Sequence, residues 1–131
     1  MQNAAPPTIE KMKLKNISVQ YAAEVFKTLS DESRLRILSL LIRNGSMSVG
    51  DLELVLDFTQ TKTSRHLQYL RKSSLLDSRR TDQWILYSIK EEAREFIEEV
   101  FSLIEQSSIL VRDQETYRIL LSNRELSATK L

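Results

Sequence analysis

The sequence predicts a small, mostly helical fold with one short β-hairpin. Glycine and proline number only two each among 131 residues, too few for the many turns of an all-β fold. Apolar side chains recur at helical spacing over most of the chain. One run, at 84–89, is instead rich in β-favouring residues. The apolar fraction of 41% and the charged fraction of 28% suit one domain with a modest core.

The N-terminal third predicts an arm followed by two helices. Residues 1–16 include two adjacent prolines and many polar side chains, so we expect a flexible arm. An apolar stripe predicts the first helix over 18–29. The next residues, Ser30-Asp31, are expected to end it and cap a second helix over 32–43. Two arginines of that second helix are expected to be surface charges: Arg34 and Arg36.

Gly45 suits the position just after the second helix. Ser48 and Asp51 then resemble a capping box, which predicts a short third helix ending near residue 57. Thr59 is a good N-cap for a fourth helix. The inward stripe of the fourth helix is formed by Thr63, Leu67 and Leu70. Two short helices joined by a tight turn form a helix-turn-helix unit.

The outward face of the fourth helix is polar, mostly in its first two turns. Such side chains can hydrogen-bond to base edges, and the cations among them can pair with phosphates. This pattern favours a recognition helix, although an ordinary amphipathic surface helix shows it too. The polar side chains are Gln60, Thr61, Lys62, Ser64, Arg65 and Gln68.

A hairpin is predicted after the fourth helix, with an extended run at 76–80, a turn at 81–83 and a strand at 84–89. A lone hairpin is marginal in water, but packed against a helix-turn-helix it becomes a wing. Arg79 and Arg80 lead to its tip and are expected to lie along a DNA backbone; protection of a strand edge by charge is the alternative.

Residue 90 begins a further helical stretch, with possible continuation to 110 and again over 117–121, and a frayed tail from 122. Its apolar stripe is broader than one small domain needs, so part of it could pair with a second subunit or simply cover its own domain. We therefore divide the chain into the arm, a DNA-binding and dimerisation domain over 17–112, and a helical extension with a tail over 113–131.

The charge is segregated although the formal net charge is only +1. Between Lys62 and Arg80, six cations stand against one aspartate, a local charge of +5, whereas residues 91–101 carry −4. The chain has no cysteine, which excludes disulfides and thiolate metal sites within it. It shows neither a membrane-length apolar run nor a secretion signal, so we expect a cytoplasmic protein.

Enzyme motifs are not found: there is no glycine-rich phosphate loop and no nucleophile beside a base, so we assign no catalytic residue and no cofactor. The two leading hypotheses are therefore a sequence-specific DNA-binding transcriptional regulator and a winged-helix module that binds protein instead of DNA. The local charge of +5 favours the first hypothesis, whereas the near-zero net charge allows the second.

Three stretches carry a family resemblance: LSDESRLRIL at 29–38, TQTKTSRHL at 59–67 and WILYSI at 84–89. In this order and spacing, the region from Phe26 to Ile89 resembles the ArsR-type winged helix-turn-helix repressors, named for the arsenical-resistance regulator. The resemblance covers about half of the chain. Its most specific part is SRHL followed by Leu-Arg.

The resemblance implies a homodimer, formed through the first and last helices, that places two recognition helices on a palindromic operator. By position, it makes Gln60, Thr61, Ser64 and Arg65 groove-facing and makes Lys62, Arg79 and Arg80 phosphate contacts. It also places His66 either facing DNA or buttressing the helix. The expected interface residues are Val19, Ala22, Phe26, Ile97, Val100, Phe101 and Ile104.

The chain departs from the family pattern at its sensor sites. Many members carry Cys-Val-Cys where this chain has Ser48, Val49 and Gly50, and no histidine follows His66. We therefore expect no metal site in the usual positions. The acidic run that begins at Glu91 is expected to be a solvated helix face. The inducing signal is not predicted.

Overall fold

The computed structural model describes residues 14–129, so the first 13 residues of the predicted arm and the last two residues of the predicted tail lie outside the described part. In this described part, six helices and three strands follow one another in the order α1 Val19–Leu29, α2 Glu32–Asn44, β1 Ser46–Ser48, α3 Val49–Leu56, α4 Gln60–Lys72, β2 Leu76–Thr81, β3 Trp84–Ile89, α5 Glu91–Ser102 and α6 Ser108–Thr129. This is the predicted winged helix-turn-helix, with one strand more than expected.

Side-chain caps fix the starts of the first four helices. Ser18, Asp31, Ser48 and Thr59 each accept a hydrogen bond from the backbone N–H three residues on, so each satisfies a donor that the helix cannot use. Gly45 ends α2 with a positive φ of 91°, where a residue without a Cβ is favoured. The predicted cap positions of α2, α3 and α4 are thereby confirmed.

The wing is part of a three-stranded antiparallel sheet, not of an isolated hairpin. Strand β1 pairs with β3, which pairs with β2, so the order is β1-β3-β2. The sequence prediction missed β1 because three residues show too little alternation. The β2–β3 turn consists of two residues, and Asp82 adopts a φ of +51°, which aspartate tolerates better than most residues. The glycine usual at such a turn is therefore not needed here.

The core lies around α2, which packs against α1, α4, α5, α6, β1 and β3. Helices α2, α4, α5 and α6 and strands β1 and β3 contribute apolar side chains to one contiguous cluster, and Leu29 of α1 packs against it. Its members that are fully enclosed include Ile37, Leu38, Leu41, Met47, Leu52, Leu67, Leu70, Leu75 and Ile97. Burial of a leucine or isoleucine side chain contributes roughly 1.5 to 3 kcal/mol, so this cluster holds α4 firmly against the rest of the domain.

The C-terminal part corrects two predictions. Helix α5 ends at Ser102, and α6 begins after a short turn, so the stretch from 90 to 110 is not one helix. Helix α6 then continues to Thr129, where fraying from residue 122 was expected. It crosses the proposed domain boundary between 112 and 113 and packs on α2 and α3. Contacts with distant residues hold this helix: Tyr117 is buried, Asp113 binds Arg36, and, beyond residue 122, Arg124 binds Asp51 of α3.

Candidate nucleic-acid interface

The polar face of α4 is the most prominent candidate surface. Its inner stripe is buried in the core, and its opposite stripe is exposed. The exposed side chains of the predicted set are Gln60, Thr61, Ser64, Arg65 and Gln68. They share one side of the helix, because their positions recur every three or four residues. The structure thus brings five of the predicted residues onto one accessible surface.

Lys62 lies at the edge of that surface and is half-buried. Its Nζ is 4.1 Å from the centre of the Phe58 ring, a cation–π distance that holds the ammonium beside the turn between α3 and α4. Asp57 makes this turn possible with a left-handed backbone, φ 58°. The ammonium therefore has a defined place at the entrance to the recognition helix.

His66 faces inward, so its prediction as a DNA-facing residue is not supported and the buttressing alternative describes its place. Its side chain is 7% exposed. The ring Nδ1 lies 3.4 Å from a terminal guanidinium nitrogen of Arg34. Burial, together with the cations Arg34, Arg65 and Lys62, lowers the pKa of His66 below its usual 6.5, while Asp31 opposes the shift.

Arg34 and Arg36 are not the surface charges that the sequence suggested. Arg34 is buried, and its Nε donates to the carbonyl oxygen of Thr28 at 2.7 Å. Arg36 binds both carboxylate oxygens of Asp113, at 2.8 and 2.9 Å. The partners lie 6 and 77 residues away, respectively, so helical periodicity could not reveal them.

The wing carries Arg79 and Arg80, and both are exposed. They are adjacent on β2, opposite Leu86 and Ile85 of β3. Since successive strand residues point to opposite faces, the two guanidinium groups leave the sheet on different sides. The wing therefore carries one cation on each of its two faces, close to the turn at Asp82.

Two further cations, not in the predicted set, lie beside it. Arg71 and Lys72 in the last turn of α4 are exposed. With Arg65, Gln68 and Tyr69 they line an open concavity of about 550 Å³. The signal was present in the local charge of +5, but the sequence did not show which of its cations share the helix face.

The expected dimer residues divide into two groups. Ile97 is fully buried, and Phe101 is nearly so, within the chain's own core, so neither is available to a partner. By contrast, Val19 and Phe26 of α1 are 81% and 62% exposed. Ala22, Val100 and Ile104 are half-buried. Leu103, which belongs to the predicted apolar stripe but not to the expected interface residues, follows α5 at 83% exposure.

Within residues 14–129, no group of three or more histidine, cysteine, aspartate or glutamate side chains is placed to hold a metal ion. The helices of the same part lack the combination of length and apolar composition needed to cross a membrane. The acidic residues of α5, beginning with Glu91, are mostly exposed, as predicted for a solvated face.

Comparison with known proteins supports a regulatory role. The family model described as "Bacterial regulatory protein, arsR family" matches residues 31–78. The arsenic resistance transcriptional regulator ArsR2 of Pseudomonas putida is 36% identical over 85 residues, 65% of this chain and 74% of the relative. The arsenical resistance operon repressor of Escherichia coli is 46% identical over 66 residues, 50% of this chain. The match spans little more than half of that repressor, 56%.

Two solved structures share the fold. HlyU of Vibrio cholerae, a transcriptional activator by name, superimposes with a TM-score of 0.63 at 31% identity and covers 70% of this chain and 100% of its own. The homodimeric winged helix-turn-helix DNA-binding domain of a possible ArsR-family regulator from Mycobacterium bovis gives a TM-score of 0.56 at 28% identity. That comparison covers 70% of this chain and 87% of the other. The relatives favour DNA binding over the protein-binding module.

Proposed function

The chain belongs to the ArsR family of bacterial regulatory proteins, and we propose that it acts as a homodimeric repressor bound to a palindromic operator in the cytoplasm. Membership of this family makes it a DNA-binding transcriptional regulator; the operator symmetry, the repression and the residue roles are the proposal. The carrying observation is the exposed polar stripe of α4, fixed on a buried apolar base.

The proposed contacts fall into two kinds. Gln60, Thr61, Ser64 and Arg65 would read base edges in the major groove, with Gln68 one turn further along the same face. Cations at both ends of this surface would bind phosphates and set the register. These cations are Lys62 at the entrance, Arg71 and Lys72 at the end of α4, and Arg79 and Arg80 on the wing.

The proposed subunit interface uses α1 and the end of α5. Val19 and Phe26 expose large apolar surfaces that water disfavours, and Leu103 adds another. Half-buried Val100 and Ile104 would complete the patch. A two-fold dimer would bring two recognition helices to half-sites about one helical turn apart. Repression would follow if the operator overlaps a promoter, whereas an operator upstream would suit activation.

Selection of bound sequences from a random duplex library tests this function. We expect an inverted repeat with half-sites centred about 10 base pairs apart. Recovery of no preferred sequence by the folded protein would contradict the proposal.

Phe26→Asp should shift the protein to monomer in analytical ultracentrifugation, while Ile119→Asp, at an exposed position of α6, should not. A dimer that survives Phe26→Asp would place the interface elsewhere.

Arg65→Ala separates base reading from charge. The loss of one bidentate base contact costs about 1–3 kcal/mol, so we expect operator affinity to fall at least about fivefold more than affinity for random DNA. Arg80→Ala is the matched control. The loss of a phosphate contact should weaken binding to operator and to random DNA equally, and should lower the slope of the salt dependence by about one. Equal losses for Arg65→Ala would reassign Arg65 to the phosphates.

A further inference from the structure

A buried arginine holds the inner face of the recognition helix. Arg34 of α2 is 9% exposed. Its Nε donates to the carbonyl oxygen of Thr28 at 2.7 Å, and its Nη2 donates to that of Lys27 at 3.4 Å. Both carbonyls lie near the end of α1, so these hydrogen bonds fix the guanidinium of α2 against α1.

The same guanidinium reaches α4 at two points. Its Nη1 is 3.4 Å from His66 Nδ1, and its carbon lies 4.0 Å from the centre of the Tyr69 ring. Arginine carries only donors and stays protonated at all relevant pH values. His66 Nδ1 must therefore be the lone-pair nitrogen, which makes the imidazole neutral with its proton on Nε2.

We propose that Arg34 is a positioning residue for the recognition helix and that it acts through neutral His66, so that protonation of His66 weakens operator binding. The proposal rests on the proposed function, because it concerns the helix that reads the operator. Protonation would place an N–H on Nδ1, opposite an N–H of Arg34, and would turn a hydrogen bond into a repulsive contact. The middle of α4 would then lose one of the two contacts that α4 makes with Arg34.

The charges around His66 determine the sign of the pH effect. Four charged groups act on the His66 ring electrostatically: Arg34 on α2, Asp31 at the N-cap of α2, and Lys62 and Arg65 on α4 itself. Helix α1 meets this group through the carbonyls that bind Arg34. Burial is the largest influence on the pKa of His66 and lowers it, and the three cations lower it further against the single carboxylate.

The folded protein therefore prefers neutral His66. An unfolded chain, with a histidine pKa of about 6.5, binds this proton at a higher pH than the folded chain does. The stabilisation from His66 is complete above about pH 6.5 and is lost as the pH falls through the lower pKa of the folded state. Acid, not base, is the direction in which the contact breaks.

The first test is operator affinity, measured by fluorescence anisotropy between about pH 7.5 and pH 5 at constant ionic strength. The probe is the duplex recovered from the selection. We expect operator affinity to be lower in acid, by a factor of about ten for each pKa unit by which operator binding lowers the pKa of His66. In His66→Asn the side-chain oxygen accepts near the Nδ1 position but does not titrate. The operator affinity of this variant should therefore change between the two pH values by no more than its affinity for random DNA does.

Two neighbours should move the midpoint in opposite directions. Arg34→Gln removes a cation and should raise the pKa of His66, whereas Asp31→Asn removes the opposing carboxylate and should lower it. Asparagine is also a good N-cap, so the second variant preserves the start of α2. The matched control is Arg36→Gln on the same helix, which pairs with Asp113 and should leave the midpoint in place. Because the chain has one histidine, its ring proton signals in NMR report this pKa directly.

Circular dichroism at each pH ensures that only folded protein is compared. Operator affinity that rises in acid in the wild type but not in His66→Asn would overturn the inference. An affinity ratio for the wild type no different from that of His66→Asn would overturn it as well, while leaving the proposed function intact. Loss of all specific binding at about pH 7.5 would defeat both. Should Arg34→Gln fail to fold, a downward midpoint shift in Asp31→Asn supports the inference and an unchanged midpoint contradicts it.

Discussion

The recognition helix α4 and the C-terminal helix α6 pack on the same central helix α2, but different interactions attach them. Helix α4 buries Leu67 and Leu70 in the core, and its first turn is capped by its own neighbour, Thr59. Helix α6 buries Leu110 and Tyr117 and is also held by polar pairs with residues far along the chain, such as Asp113 with Arg36. Apolar packing is thus supplemented by local capping in α4 and by distant side-chain pairs in α6.

Leu70→Ala should have the largest effect of the changes that probe this comparison. Leu70 is fully buried, and its truncation leaves a cavity beneath α4. We expect the free energy of unfolding to fall by about 3 kcal/mol, measured by urea denaturation at fixed protein concentration. Leu54→Ala is the control, because Leu54 on α3 is 64% exposed and should matter little. Similar losses for both would refute the assignment of Leu70 to the core.

Asp113→Ala tests the polar attachment of α6. The carboxylate is buried, and its loss leaves the partly buried Arg36 guanidinium without its bidentate partner. We expect about 2 kcal/mol of destabilisation, less than a fully buried pair would give, because Arg36 retains some solvent contact. Glu115→Ala, two residues on, removes an exposed pair with Arg118 and should leave the free energy of unfolding nearly unchanged. A loss above that of Leu70→Ala would reverse the comparison.

Thr59→Ala addresses the local part of the attachment of α4. The Thr59 hydroxyl oxygen accepts from the Lys62 N–H at 3.1 Å, and alanine cannot replace that acceptor. We expect about 1 kcal/mol of destabilisation, together with faster hydrogen exchange in the first turn of α4. Thr59→Ser should restore both values, since serine caps equally well. Unchanged exchange in Thr59→Ala would show that core packing alone holds the first turn.

The comparison also explains how far the sequence predicted the molecule. Caps such as Asp31 and Thr59 depend on residues three positions away, so the starts of α2 and α4 were predictable. The polar stripe of α4 was predictable for the same reason. The buried place of Arg34, the pairing of Arg36 and the length of α6 depend on partners that only the folded chain brings together. Strand β1 was missed because its three residues gain their structure by pairing with β3.

Arg124→Ala should have the smallest effect and shows where polar attachment becomes weak. Arg124 binds both oxygens of Asp51 on α3, at 2.7 and 3.1 Å, yet its side chain is 49% exposed. Water and ions screen such a pair, so we expect about 0.5 kcal/mol or less, vanishing at roughly 1 M salt. Arg124→Lys keeps the charge but loses the second hydrogen bond, so its free energy of unfolding should lie between those of the wild type and Arg124→Ala. A salt-independent loss above about 1.5 kcal/mol would mean that this end of α6 is attached as firmly as the end at Asp113. Burial would then not explain the strength of the Arg36–Asp113 pair relative to the Arg124–Asp51 pair.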